Sequence, residues 1–316
     1  MRSITDMDTL QLEITDVCRN SCSNCSRFCG HRYPFYMSFD YFKAAVDSMV
    51  GYPKMIGLQG GEPLLHPQFE RMCEYARSKF SKKRLGLWTT LPEGFEKYRE
   101  IICETFYHIF INDHTRNDIY HHPGLVAIEE VITDKNNMWQ CIDHCWAQMS
   151  WSASINPKGA FFCEIAASMS ILFEEEGGWK VEPGWWNRIP KDFTAQMEQY
   201  CPRCGFAAPV SRRASIEGID DISPKNFVRL RGKSFKLAKG DYKISNLKIE
   251  PDPQPLAAYK DFNYRDRIAN RYGMFLFINE SNTWTPCLKK EFDIEAPKKS
   301  LFEIYKERFK SSTTHD

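Results

Sequence analysis

Leu10, Leu12 and Ile14 alternate with Gln11, Glu13 and Thr15, the period-two pattern of a strand with one buried face. Ser38 then offers a helix N-cap, and Phe39, Phe42, Val46 and Met49 fall on one helical face. Met55 to Leu58 reads as a second strand, and Phe69, Met72, Cys73, Ala76 and Phe80 mark a second helix. A strand over Leu85 to Trp88, a helix carrying Phe95, Tyr98 and Ile102, and a strand over Tyr107 to Ile111 complete the run. Strands that alternate with helices imply an α/β fold with a parallel sheet and right-handed crossovers. The polar candidates just after these strands would lie on the C-terminal rim, where such sheets place their sites. The pattern alone does not separate a barrel from an open sheet.

At 316 residues the chain is longer than one typical domain, so two or three modules are expected. A net charge of +1 gives no overall electrostatic case for nucleic acid or an anionic membrane. No run of eighteen apolar residues occurs, and the start, Met1-Arg2-Ser3-Ile4-Thr5-Asp6, lacks the apolar core of a signal peptide. The chain is therefore expected in the cytoplasm, where its twelve cysteines would be ligands or buried thiols rather than a disulfide framework.

Cys18, Cys22 and Cys25 form a C-x3-C-x2-C loop directly after the first strand. Three thiolates can hold three corners of a four-iron cluster and leave one iron open to an outside ligand. A zinc site or buried core thiols are the plainer alternatives, but zinc sites usually use C-x2-C pairs joined by a second pair or by histidines. One βα unit later comes Gly60-Gly61-Glu62-Pro63. Its glycines let backbone approach a ligand, and Glu62 can accept hydrogen bonds from an ammonium. A strand-to-helix turn with no ligand is the alternative.

A second constellation, Cys145, Cys163, Cys201 and Cys204, has enough thiolates to close every corner of another cluster, or to hold zinc. Cys29 and Cys141 flank the two sets and could substitute as ligands, whereas Cys73 and Cys103 sit in predicted helices as core. The histidines His121, His122 and His144 lack the partner spacing of a metal site. Trp139, Trp146, Trp151, Trp179, Trp185 and Trp186 gather around the second set. They suit shielding and packing, or, at Gly184-Trp185-Trp186, stacking on a sugar.

The cysteine loop and GGEP segment together resemble the radical S-adenosylmethionine (SAM) superfamily. The later cysteines resemble its twitch module, a shortened SPASM domain, as in 2-deoxy-scyllo-inosamine dehydrogenase-type enzymes. The resemblance covers roughly residues 9 to 205. It implies a partial (β/α) barrel core over 1–138, ending near Lys135 in its short form, and a small twitch-like α+β auxiliary module over 139–210. A C-terminal extension over 211–316 follows. It also implies two [4Fe-4S] clusters, one binding SAM and one auxiliary. Gly60, Gly61 and Glu62 would hold the SAM amino group, with Thr89, Thr90, Asn112 and Asp113 within reach of its methionine or ribose. Asn24 departs from the pattern, since the family usually has an aromatic residue there. That puts the usual packing beside the adenine in doubt.

In the extension, 208–223 reads as a linker or exposed loop. Arg229, Arg231, Lys233, Lys236 and Lys239 alternate loosely with apolar residues, as a solvated strand face or a seat for an anionic group. Ser300 starts a terminal helix with Leu301, Ile304, Tyr305 and Phe309 on one side. Cys287 is either a buried thiol or a catalytic hydrogen donor of the kind found in radical-SAM epimerases.

The resemblance implies hydrogen abstraction from a hydroxyl-bearing small molecule such as a sugar, cyclitol, glycoside or nucleotide sugar, ending in oxidation or epimerisation. An external donor such as flavodoxin or ferredoxin would supply electrons. Glu164, beside Cys163, is a candidate base or a structural neighbour of the cluster. A maturase for ribosomally made peptides is the alternative, weakened because the first strand begins near Leu10 and leaves no room for a leader-binding domain. A non-enzymatic two-cluster electron carrier ranks last, having no need of an open iron beside GGEP.

Overall fold

The computed structural model describes residues 1–112, 114 and 119–249, together with the backbone of two strands at 274–278 and 284–286. The elements begin with β1 (Thr9–Thr15), α1 (Phe39–Ser48), β2 (Met55–Gly60), α2 (Phe69–Lys79), β3 (Leu85–Thr89), α3 (Arg99–Thr105) and β4 (His108–Ile111). The predicted third helix is split: Phe95–Tyr98 forms a 3-10 turn that runs into α3.

After β5 (Tyr120–His121) come α4 (Ile128–Val131), α5 (Lys135–Asp143), α6 (Trp146–Ser150), β6 (Ala153–Asn156), β7 (Gly159–Phe161), α7 (Glu164–Leu172) and α8 (Thr194–Tyr200). The last elements are β8 (Arg213–Ala214), β9 (Asp220–Ile222), α9 (Pro224–Leu230), α10 (Phe235–Lys239), β10 (Tyr242–Ile244), β11 (Met274–Ile278) and β12 (Trp284–Pro286).

One parallel-rich sheet organises the mixed α/β fold, in the order β12-β11-β4-β3-β2-β1-β6-β7. Strands β1 to β4 are parallel to one another and β6 is parallel to β1, whereas β7 and β11 join antiparallel. Register aligns Leu10 with Ile56 and Ala153, Leu12 with Leu58 and Ile155, and Leu87 with Ile109. These residues share an apolar face whose core includes Phe42, Val46, Met72, Ala76 and Ile102 from the helices.

The opposite face aligns Gln11 with Gly57 and Ser154, Glu13 with Gln59, and Trp88 with Phe110. Gln11, Glu13, Gln59 and Ser154 are all buried. β1 is therefore covered on both faces, not on the single face that its alternation predicts.

Two expectations for the extension change. The 208–223 stretch is not an exposed loop, because it contains β8 and β9, and Asp220 is buried. The basic stretch after it forms two short helices instead of a strand. Pro224 opens α9, while Ser234 caps α10, its hydroxyl accepting from the Leu237 amide. The Ser300 helix, Asp113 and Cys287 lie outside the described residues. Among those residues, no helix is long and apolar enough to cross a membrane.

Candidate functional site

The first cysteine loop leaves the C-terminal end of β1 and is tied at both ends. The Asp16 carboxylate accepts from the Phe35 amide at 2.7 Å, the Thr15 hydroxyl donates to the Phe35 carbonyl at 2.6 Å, and Met37 N–H reaches Ile14 O. Cys18, Cys22 and Cys25 lie within electrostatic reach of one another. Burial pushes the Cys18 thiol up to about 12 and raises Cys22 as well. Such thiols become thiolates only beside a strong positive partner, as iron provides. The Asn20 amide already donates to the Cys18 sulfur at 3.4 Å, a contact that suits a ligating sulfur. Cys29 lies within hydrogen-bonding reach of Cys25, so a fourth thiol belongs to this loop.

Gly60 ends β2 and Gly61 follows it against the start of the loop, the Gly61 amide donating to Thr15 O and the Glu62 amide to Val17 O. A Cβ on Gly61 would meet Val17 O at 2.4 Å and Asp16 O at 2.7 Å. The pair is thus required for backbone to pack on backbone beside the cysteines.

Glu62 is 1% exposed, and its carboxylate is saturated. Oε1 accepts from Thr89 Oγ1 (2.7 Å) and Leu64 N (3.1 Å), and Oε2 from the amide and hydroxyl of Thr90 (both 2.6 Å). Burial raises its pKa while these donors lower it. Thr89 and Thr90 are therefore brought to Glu62, joining the ends of β2 and β3. Asn112 donates its amide to Thr89 O at 2.9 Å and keeps a half-buried side chain.

Next to the loop, the polar sheet face meets Arg27 and Glu164. Glu164 Oε2 accepts from Ser152 (2.6 Å) and Gln59 (3.3 Å), and Oε1 faces Arg27 Nη2 at 3.5 Å. Arg27 is in electrostatic reach of Glu13, Cys25 and Cys163 as well, which puts it between the two cysteine sets. Burial pushes Glu13 up to about 8, against the pull of Arg27. Glu13 and Gln59 escape sequence reasoning because they look like the ordinary polar half of an alternating pattern, and Arg27 because it looks like a solvated loop residue. The one local signal is their place, each within two residues of a motif or strand that bears ligands.

Cys145, Cys163, Cys201 and Cys204 line one apolar cavity together with Ile142, Phe162, Ile165, Met169, Tyr200 and Phe206. Cys141 is buried but does not line it, which favours Cys145 in the set. Cys163 N-caps α7, and the amides of Ile165 and Ala166 approach its sulfur; those of Ala147 and Gln148 approach Cys145. Phe206 N–H donates to Cys204 Sγ at 3.4 Å. Among the described residues, no three His, Cys, Asp or Glu side chains converge where one metal ion could sit. A four-cysteine set of this kind suits zinc or an iron-sulfur cluster.

Trp146 packs against Trp151, His122 and Phe206, and of these Phe206 lines the cavity. Trp185, 1% exposed, packs into the core, and half-buried Trp186 lies edge-on to Tyr52; Trp185 also lines an open polar cavity with Gly184, Glu182, Asn187, Arg188 and Asp192.

Asn24 has φ 50°, a left-handed conformation that asparagine tolerates, and it is buried. Its side chain donates to Asp221 Oδ2 (3.0 Å) and accepts from the Asp221 amide (2.8 Å). Its own amide donates to Asp220 Oδ1 at 2.5 Å. Asn24 thus ties the loop to β9. Lys236, read from sequence as part of a solvated or anion-binding face, is instead buried against the same loop.

No protein-family model matches the chain. No curated protein matches it. Among solved structures, it is similar to BtrN, determined in complex with AdoMet and 2-DOIA. The TM-score is 0.38 and the identity 12%, over 62% of this chain and 88% of that chain.

Proposed function

We propose that this chain is a radical-SAM enzyme that removes hydrogen from a C–H bond of a hydroxyl-bearing small molecule. The observation that carries this reading is the enclosure of one three-cysteine loop by the Gly60-Gly61 turn, beside a buried polar face and a second cavity ringed by four cysteines. In this reading the sheet forms a partial barrel core, residues 139–210 form a twitch-like auxiliary module, and Asp113 completes the SAM site.

Cys18, Cys22 and Cys25 would hold one [4Fe-4S] cluster, and Cys145, Cys163, Cys201 and Cys204 the other. Held there, the first cluster with SAM would supply radical hydrogen-abstraction chemistry, and the second would serve as an electron acceptor. The chain's own part is orientation and proton handling. Glu62 fixes Thr89 and Thr90, so the rim beside the cysteine loop is rigid. Glu13, whose carboxyl burial pushes up to about 8 and which accepts from the Ser168 hydroxyl, holds the polar sheet face together beside Arg27 and Glu164. Glu164, ordered by Ser152 and Gln59, accepts the hydroxyl proton as the carbon is oxidised. A sugar or cyclitol is the proposed substrate class, with a ribosomally made peptide as the alternative. Flavodoxin or ferredoxin is the proposed electron source, and Cys287 the hydrogen donor if the outcome is epimerisation.

The test is iron and sulfide per chain after anaerobic reconstitution, in wild type and in a Cys18→Ala, Cys22→Ala, Cys25→Ala variant. About eight irons should fall to about four. A wild type holding about four irons plus zinc would remove the second cluster from the reading, and an unchanged variant would remove the first. Product mass then separates oxidation, a loss of about two mass units, from epimerisation, which leaves mass unchanged.

A further inference from the structure

The cysteine loop is braced from a segment almost two hundred positions away, and the brace is a buried charge cluster. Lys236 is 2% exposed and is the one lysine among the described residues to be buried. Its ammonium donates to Asp220 Oδ2 at 2.9 Å and to the Cys22 carbonyl at 2.9 Å. Asp220 Oδ2 also meets His31 Nε2 at 2.7 Å, and His31 Nδ1 meets Ser234 Oγ at 2.8 Å. The backbone follows the same route, with Phe235 N–H on His31 O and Ser23 N–H on Ser215 O. Ser23 Oγ in turn accepts from the Ile219 amide. Loop residues 22, 23, 24 and 31 are thus all held by residues 215 to 236.

A buried charge is costly unless paired; Lys236 is paired with Asp220, and its hydrogen bond to the Cys22 carbonyl sets its charge beside the cysteine loop. Asp220 divides its carboxylate between the Asn24 amide and two cationic or protonatable groups, leaving Lys236 as the charge nearest the ligand backbone. Charges and hydrogen bonds around an iron-sulfur cluster set its reduction potential, and outer residues orient its ligands.

We propose that Asp220 and Lys236 are positioning residues of the first cluster: Asp220 sets the loop geometry that receives iron, and Lys236 raises the potential at which the cluster is reduced. This rests on the radical-SAM reading, and it makes the segment after the auxiliary module part of the first cluster's site.

The experiment uses full-length wild type, Asp220→Asn, Lys236→Met and Lys236→Arg, each reconstituted anaerobically. Three quantities are read: far-UV circular dichroism, iron per chain, and the midpoint potential of the electron paramagnetic resonance signal that SAM perturbs. With dichroism unchanged, Asp220→Asn should hold about half the wild-type iron, the loss falling on the SAM-sensitive signal. Lys236→Met should keep its iron but shift that signal to a more negative potential, and Lys236→Arg should return it toward wild type. Wild-type iron in Asp220→Asn with an unmoved potential in Lys236→Met overturns the proposal and leaves the function standing. A wild type that has no SAM-sensitive signal overturns the function itself. If Asp220→Asn does not fold, the Lys236→Met and Lys236→Arg pair decides on potential alone, which a merely structural lysine would not move.

Discussion

Glu13 shows how a single residue changes meaning between sequence and structure. Its alternation with Leu12 and Ile14 describes an apolar face correctly and says nothing about what covers the polar face. That cover comes from Arg27, Glu164 and Ser168, which sequence periodicity cannot bring together. Burial lifts the carboxyl from its ordinary 4.5 to about 8, so between those values the folded protein keeps a proton that the unfolded chain has released. Stability therefore falls as pH rises through that window and levels off above it. Glu13→Gln should flatten the slope, gaining on wild type by up to about 1.4 kcal/mol per pH unit, read from urea midpoints at successive pH values. Parallel profiles would mean that the folded protein carries Glu13 ionised. At Asn24, the sequence does not reveal the residue's purpose, because Asp220 and Asp221 have no local link to it. Asn24→Tyr should lower the denaturation midpoint by the equivalent of about 1–3 kcal/mol, as the Asp221 amide loses its buried partner.

Among the elements, the βα run from β1 to β4 is legible because its strands and helices carry clear apolar periods, and Ser38 caps α1. The two short helices α9 and α10 are not, since Leu230, Phe235 and Leu237 fit neither helical nor strand spacing. Their signal lies instead in Pro224 at the first turn, Ser234 at the cap and Gly240 at the end. The cysteine sets are legible as spacings, and the structure adds how the first is closed: the β2 turn packs backbone on backbone. Gly61→Ala would push a methyl group into the Asp16 and Val17 carbonyls. It should cost about 1–3 kcal/mol in a denaturation experiment and reduce iron on the first loop only. An alanine variant with wild-type midpoint would mean that the turn relaxes freely.

For the whole molecule, the first cysteine loop and its brace form one unit although the chain places them far apart. β6 and β7 extend the same sheet from beside β1, so the second cysteine set also depends on the first strand. A chain ending at residue 210 should therefore bind iron poorly at Cys18, Cys22 and Cys25 while retaining helical dichroism. Iron retention equal to the full chain would limit the brace to a minor role. The separation also has a consequence during synthesis. Asn24 must wait for Asp220, 196 residues later. At about 5–20 residues per second that interval lasts roughly 10–40 seconds. Throughout it, the ribosome presents a loop of four thiols without its partner strand, the period in which oxidation or mistaken metal capture has its best chance.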